Sequence, residues 1–310
     1  MAAGAGPPVA ILLSTYNGGR FLMEQLASVR AQSFERWILY WRDDGSTDST
    51  CRIMQEFLLT LGAGRSVVVP SDGSVGASES FLRLLRAAVA DNSDVVAFCD
   101  QDDVWLEQKL QRGLNALAAV PATVPGLYCA RQILVDAELR RISLSARLRH
   151  PPSFPGALTQ NIAAGCTLML NHAGARLVAG SRAPAATLHD WWSYLMVAAA
   201  GGRLIFDGTP VVLYRQHAGN SVGASASLLL RGIAALRRGP AAFMSVFQQN
   251  VDALADQSDL LSPSARLQVM TIAGALRQGF MRRHAVLRMV GLRRQTWPET
   301  MLFRLWLLLH

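Results

Sequence analysis

Short apolar runs alternate with amphipathic segments along the first third of the chain. Val9–Ser14 is apolar and ends in a turn-like Tyr16-Asn17-Gly18-Gly19; a segment with Phe21, Leu22, Gln25, Leu26 and Val29 on one helical face follows. Trp37–Trp41 is the next strand-like run. It leads into Asp43-Asp44-Gly45-Ser46, where Ser46 or Thr47 can cap a helix carrying Ile53, Met54, Phe57, Leu58 and Leu61. Val67–Pro70 predicts a third strand, and Phe81, Leu84, Leu85 and Ala88 mark the helix after it. Val95–Cys99 predicts a fourth strand ending in Asp100-Gln101-Asp102-Asp103, with Trp105–Ala119 helical beyond. Strands alternating with helices in this way specify an α/β class with a parallel, doubly wound sheet.

Beyond about residue 126 the pattern loosens. Gly126–Ile133, Cys166–Asn171, Arg203–Phe206 and Pro210–Gln216 read as strands and His189–Ala200 as a helix. After Ser221 the chain reads as helical to its end, broken at Gly239-Pro240 and Ser262-Pro263. The expected organisation is a loose tail over 1–8, an α/β domain over 9–224 with halves 9–125 and 126–224, and a helical extension over 225–310.

In a sheet of this kind ligands gather beyond the carboxyl ends of the strands. That rim collects Thr15, Asn17, Asp43, Asp44, Asp100, Asp102 and Asp103. Crowded carboxylates repel one another unless a cation or donor groups lie between them. Asp100 and Asp102 stand at i and i+2 in a turn leaving a buried strand. Such a pair offers hard oxygen ligands to Mg²⁺ or Mn²⁺ and leaves positions open for phosphate oxygens. No Gly-rich loop ends in Lys-Ser/Thr and no Gly-x-Gly-x-x-Gly follows the first strand, which excludes a P-loop enzyme and argues against a dinucleotide site. A metal-bridged diphosphate suits the carboxylates better than either.

Composition refines this. Hydrophobic residues make up 51% of the chain, yet its longest uncharged run, between Arg149 and Arg176, is broken by Pro151, Pro152 and Pro155. A spanning helix needs roughly 20 unbroken apolar residues, so none is predicted. Met1–Pro8 lacks the basic and apolar regions of a signal peptide. Cys51, Cys99, Cys129 and Cys166 show no zinc-type pairing and read as free thiols of a reducing, cytoplasmic compartment. The net charge is +8, and residues 225–310 supply most of it, with 11 arginines against four acids.

Three ordered motifs then carry a resemblance. Ser14-Thr15-Tyr16-Asn17-Gly18, the Asp43-Asp44-Gly45-Ser46-Thr47-Asp48 turn and the Asp100-x-Asp102 pair resemble the nucleotide-sugar half of family 2 glycosyltransferases. These enzymes have the GT-A fold, a Rossmann-like, mostly parallel sheet flanked by helices. The likeness continues through His189-Asp190-Trp191-Trp192 and Tyr214-Arg215-Gln216-His217, so it covers roughly 9–224. It implies single-displacement, inverting transfer from a nucleoside diphosphate sugar. By that resemblance Thr15, Tyr16 and Asn17 line the base pocket and Asp43 and Asp44 contact base and ribose. Asp102 binds the metal, with Asp100 on ribose or a metal-bound water and Gln101 among the nucleotide-sugar residues. Asp190 matches the general base, held ionised by its place at a helix start. His217 approaches the metal or diphosphate, and Arg215 neutralises the leaving diphosphate. Gly165 and Cys166 let backbone approach the sugar or acceptor, and Trp191 and Trp192 stack on an acceptor sugar, with one of the pair expected in the core. The turn at Gly73-Ser74-Val75-Gly76 departs from the commoner Asn-x-Gly form, with Asp72 in place of Asn.

The combination Asp-Gln-Asp-Asp-Val-Trp, Gly-Cys-Thr, His-Asp-Trp-Trp and Tyr-Arg-Gln-His is similar to the rhamnosyltransferase-like branch, which builds O-antigen and related polysaccharides. This implies dTDP-β-L-rhamnose as donor, with a UDP-hexose transferase as the alternative. A non-catalytic nucleotide-sugar-binding protein is a rival, against which Asp102 and Asp190 stand. A nucleotidyltransferase would need a long Gly-rich basic loop where Tyr16–Arg20 stands. Leu228–Arg238 and Gly279–Arg294 interleave Arg with apolar residues, as helices at a membrane interface do. Docking at the inner membrane, beside a lipid-linked acceptor, is therefore expected; packing on the domain or on a second copy is the other reading. No module for nucleic acid accompanies the charge.

Overall fold

The computed structural model describes residues 8–217 and 228–309, with the side chains of 228–239 and Phe280 outside the description. The expected tail over 1–8 lies almost wholly outside the described residues.

The predicted alternation is present. Strands β1 (Val9–Thr15), β2 (Trp37–Asp43), β3 (Ser66–Val68) and β4 (Val95–Cys99) alternate with helices α1 (Leu22–Arg30), α2 (Thr50–Leu59) and α3 (Ala77–Ala90). They form the parallel part of the sheet in the order β3-β2-β1-β4. Central β1 is buried on both faces, which is why it reads as one apolar run without alternation. Pairing Thr15 with Asp43 and Leu13 with Cys99 brings the carboxyl ends of three strands to one level.

Two predicted elements shift beyond Cys99. The Trp105 stretch is no helix start: β5 (Val104–Trp105) pairs antiparallel with the last strand, and α4 (Lys109–Leu117) begins later. Of the predicted strand Cys166–Asn171, residues Gly165–Thr167 form a 3₁₀ turn, and only β8 (Met169–Asn171) is strand. The two predicted final strands are one, β9 (Arg203–Arg215), whose register with β6 (Gly126–Val135) slips past Asp207 at a bulge. Asp207-Gly208-Thr209 looks like a turn in sequence, but Arg112 and Tyr128 hold Asp207 and the strand continues through it. With β7 (Arg141–Leu144) beside β6, the described residues form a nine-stranded sheet in which β8 runs antiparallel between β4 and β6.

On one face α5 (Gly156–Thr159), α6 (His172–Ala179) and α7 (His189–Ala199) pack with α3. The C-terminal helices α8 (Leu228–Ala255), α9 (Pro263–Gln278), α10 (Phe280–Val286) and α11 (Trp297–Leu309) extend that core. Met244, Phe247, Val251 and Leu254 of α8 are fully buried, so the extension packs on the domain along that face. The break expected at Gly239-Pro240 is absent, because α8 runs through Pro240. The break at Ser262-Pro263 is present: the Ser262 side chain caps α9 and Pro263 stands where a missing N–H costs nothing. Among the described residues no helix is long and apolar enough to cross a membrane.

Candidate active site

The rim where β1, β2 and β4 end is held by hydrogen bonds between their loops. Thr15 donates to Asp43 Oδ1 at 2.8 Å and accepts from Trp41 Nε1 at 3.0 Å. Asp43 also receives the Ser46 hydroxyl at 2.6 Å and the Ser46 and Gly45 amides. Burial alone would raise its pKa, but these bonds outweigh it and hold the carboxyl below its ordinary value. Asn17 accepts the Thr47 N–H at 2.8 Å, while its own N–H reaches Ser46 Oγ at 2.9 Å. The Gln101 amide spans to the Tyr16 backbone with two bonds of 2.9 Å, and a Cβ at Gly18 would collide with it. The Tyr16 ring itself is exposed.

Asp44 departs from expectation. It lies beneath the rim, where Arg42, Ser74 and the amides of Val75 and Gly76 supply four donors. Those donors outweigh burial and keep it ionised. The turn that departs from the Asn-x-Gly form is therefore a cradle for Asp44, and no acceptor position on that carboxylate is left for a base or ribose.

At the β4 end the carboxylates divide by burial. Asp102 Oδ2 lies 2.9 Å from His217 Nε2, and the His217 ring packs on Phe21 with centroids 4.9 Å apart. Asp100 is partly exposed; burial, then the like charges of Asp102 and Asp190, push it up to about 7. Asp103 is fully buried and accepts the Arg215 amide at 3.0 Å, so it caps no helix. Asp100, Asp103 and Cys166 each offer a ligand atom, all within 4.8 Å of one another. A lysine stands beside that cluster, and burial lowers its pKa to about 7. Lys109 is fully buried, its Nζ stands 3.1 Å from the Trp105 ring centroid without a hydrogen-bond partner among the described residues, and it interacts with Asp100 and Asp103. Burial raises the Cys166 thiol and the Asp103 carboxyl, favouring their neutral forms. On the rim, Asp102 and His217 offer a carboxylate oxygen and a ring nitrogen 2.9 Å apart, donor types that a divalent ion accepts.

Arg215 does not reach toward a diphosphate. Its side chain is 1% exposed, donates to the Asp102 carbonyl at 2.8 Å, to the Ala137 carbonyl and to Glu24, and stacks over Phe21. It clamps the Asp102 loop to β9 and α1. A positive charge after an apolar strand looks like a rim cation in sequence; only the fold turns it inward.

Asp190 is the second residue of α7 and accepts from the Trp191 amide at 2.6 Å and the Gly165 amide at 3.1 Å. Burial outweighs these donors and an Asn161 bond and lifts its pKa to about 6, so Asp190 is ionised at neutral pH but less firmly than a helix start alone would hold it. The Gly165 N–H is thereby spent on Asp190, and the Cys166 side chain points into the buried cluster. Trp192 is fully buried and donates to Ser181, so stacking on a sugar is closed to it; Trp191 is half-buried, with its Nε1 on the Ala157 carbonyl. His189 is buried between Phe81 and Phe98, and burial depresses its pKa to about 3, so it is a neutral core ring. Lys109, Glu24 and Asn161 carried no sequence signal, being single polar residues in ordinary helix or loop context.

Comparisons with known proteins identify the family and the fold. The model of the family "Glycosyl transferase family 2" matches residues 10–168. The dTDP-rhamnosyl transferase RfbG of Shigella flexneri is 28% identical over 227 residues, 69% of this chain and 75% of that protein. A UDP-Glc:alpha-D-GlcNAc-diphosphoundecaprenol beta-1,3-glucosyltransferase of Escherichia coli, WfgD, is 27% identical over 109 residues, 35% of this chain and 40% of its own. Among solved structures, S. aureus TarS 1-349 in complex with UDP-GlcNAc superposes with a TM-score of 0.60 at 14% identity, covering 90% of this chain and 78% of that one. The mannosyltransferase PcManGT from Pyrobaculum calidifontis, in complex with GDP-Man and Mn²⁺, gives 0.50 at 18% identity over 97% and 87%.

Proposed function

The chain belongs to glycosyl transferase family 2, with the GT-A fold, and from that premise we propose that it is a metal-dependent, inverting rhamnosyltransferase. Its donor is dTDP-β-L-rhamnose, and its acceptor is a saccharide, lipid-linked, of a bacterial cell-surface polysaccharide. One observation carries the chemistry. Asp190, from the second half of the domain, faces the Asp100–Asp102 loop closely enough for its charge to raise Asp100, and is itself poised at about 6. A carboxylate with that pKa is ionised at neutral pH yet basic enough to accept a proton.

The acceptor hydroxyl gives its proton to Asp190 while its oxygen bonds to the anomeric carbon. The bond from that carbon to the diphosphate breaks, the electron pair leaves with the nucleoside diphosphate, and the β-donor yields an α-rhamnoside. Asp102 and His217, with Asp100 beside them, would hold a Mg²⁺ or Mn²⁺, which would supply positive charge to the departing diphosphate. In this reading the exposed Tyr16 ring stacks on the base, Asn17 and Asp43 shape the loop beside it, and half-buried Trp191 meets the acceptor.

The rhamnose assignment is supported by the match to RfbG over most of both chains. A UDP-hexose donor is the second reading, supported by the shorter match to WfgD. The enzyme would work from the cytoplasm at the inner face of the membrane, where the basic extension meets an anionic surface.

The test is nucleoside diphosphate release from a panel of nucleotide sugars with Mg²⁺ or Mn²⁺, beside Asp102→Ala. Turnover of dTDP-rhamnose alone, abolished by chelator and by the substitution, is expected. Preference for a UDP-hexose would replace the donor and keep the mechanism. Absence of metal-dependent binding of any nucleotide sugar by calorimetry would overturn the transferase reading for this chain.

A further inference from the structure

Helix α11 has an inner face and an outer face, and both are apolar. Thr300, Phe303, Trp306 and Leu307 are buried, with Phe303 and Trp306 packed on Phe243 and Phe303 also on Phe247 of α8. Trp297, Met301, Leu305 and Leu309 follow at intervals of four residues, which places them on the opposite side. Trp297 is 72%, Leu305 51% and Leu309 74% exposed, and Met301 is partly so. A helix on a watery surface carries charged residues there. The only charged residues of α11 are Glu299, bound to the Thr296 hydroxyl, and Arg304 beside the stripe. Just before α11, Met281 and Val290 are also exposed.

The charge around this face says what covers it. Residues 279–309 hold six arginines and Glu299 as their one acid, and Arg282, Arg288 and Arg293 are exposed. Pairing this face with a second copy would bring the same cations together, whereas headgroup phosphates neutralise them. Trp297, at one end of the stripe, has the amphipathic ring favoured at headgroup level. The helix has 13 residues, so at roughly 1.5 Å per residue it falls short of the ~30 Å hydrocarbon core and can lie along the surface but not cross it.

We propose that the outward face of α11 docks on an anionic lipid bilayer, with Trp297, Met301, Leu305 and Leu309 in the interfacial layer and the neighbouring arginines on headgroup phosphates. This rests on the membrane-docking part of the function proposed above and adds α11 to the predicted 228–238 and 279–294 segments as the apolar part of the contact. The side chains of 228–238 lie outside the described residues.

The test is co-sedimentation of the full chain with phosphatidylcholine vesicles and with vesicles containing phosphatidylglycerol, in the absence of donor, so that its outcome is independent of turnover. Binding to the anionic vesicles alone, weakened by salt, is expected. The double variant W297S/L305S should bind roughly a hundredfold more weakly, about tenfold per side chain withdrawn, with unchanged circular dichroism. R282Q/R288Q, which leaves the stripe intact, should weaken binding to the anionic vesicles by about fivefold per charge and reduce the anionic preference accordingly. Equal vesicle binding by W297S/L305S and the parent chain, or no binding by the parent, would overturn the proposal. So would a dimer, seen by light scattering without lipid, that W297S/L305S dissociates, because the face would then belong to a second copy.

Discussion

Replacing Asp190 by Asn removes the proposed base and, in the same step, a carboxylate that folding strips of water. Burial raises this carboxyl from 3.8 to about 6. An acid whose folded pKa is raised ionises in the unfolded chain first, so the native state is penalised as pH climbs from about 4 and fully above about 6. The full gap corresponds to about 3 kcal/mol. Because the side chain opens partly onto the rim, solvent reduces this to about 1–2 kcal/mol. The amide keeps one acceptor for two N–H donors, from Gly165 and Trp191, which returns about 1 kcal/mol at every pH. Asp190→Asn should therefore be no more stable than the parent near pH 4 and should gain about 1–2 kcal/mol relative to it by about pH 7.5. Urea unfolding across that range reads the difference, with equal m-values as the check that both states are comparable. Transfer should fall by about two to four orders of magnitude, while the parent's kcat/KM drops tenfold per pH unit below about 6. A stability difference that stays flat with pH would refute the desolvated carboxylate. Turnover within a few-fold of the parent would refute the base.

Further outcomes follow from the supports under the rim. Arg215→Met should cost about 3 kcal/mol, because Glu24 and two carbonyls lose their donor, and should weaken metal-dependent nucleotide binding in calorimetry through the loosened Asp102 loop. Asp44→Asn leaves buried Arg42 with only the exposed Asp72 carboxylate, 3.4 Å away, and should lower stability by about 3 kcal/mol in urea, with nucleotide affinity of the folded fraction unchanged. Trp192→Ala should cost about 3–5 kcal/mol by opening the core, whereas Trp191→Ala should cost less, about 1–2 kcal/mol for its half-buried ring and the bond to Ala157, and raise the acceptor KM in steady-state assays.

Sequence periodicity was a good guide wherever one strand or helix makes its own signal. β1, β2 and β4 are buried on both faces, so their apolar runs stand out, and the acids that follow them necessarily fall at one end of a parallel sheet. The same logic failed where pairing across the chain overrides local pattern. β9 keeps its strand through Asp207-Gly208-Thr209 because β6, Arg112 and Tyr128 hold it. Val104-Trp105 becomes strand because β9 lies beside it. Pro240 stays inside α8, whose buried face packs on the domain, although its ring removes a helical hydrogen bond.

The sequence by itself determined the α/β class and the rim of carboxylates and offered Asp190 as a candidate through its family resemblance, because strand burial, turn chemistry and motif order are properties of neighbouring residues. Which of those groups face the substrate was decided by tertiary structure alone. Asp44, Arg215 and Trp192 carry plausible chemistry yet point inward, the first two held by partners far away in the chain and Trp192 buried in the core on Ser181. Asp190 acquired its pKa of about 6 only when folding buried it, and the outer stripe of α11 became informative only once its other face was taken by α8. Direction, burial and charge environment are set by contacts between distant segments, and no local pattern encodes them.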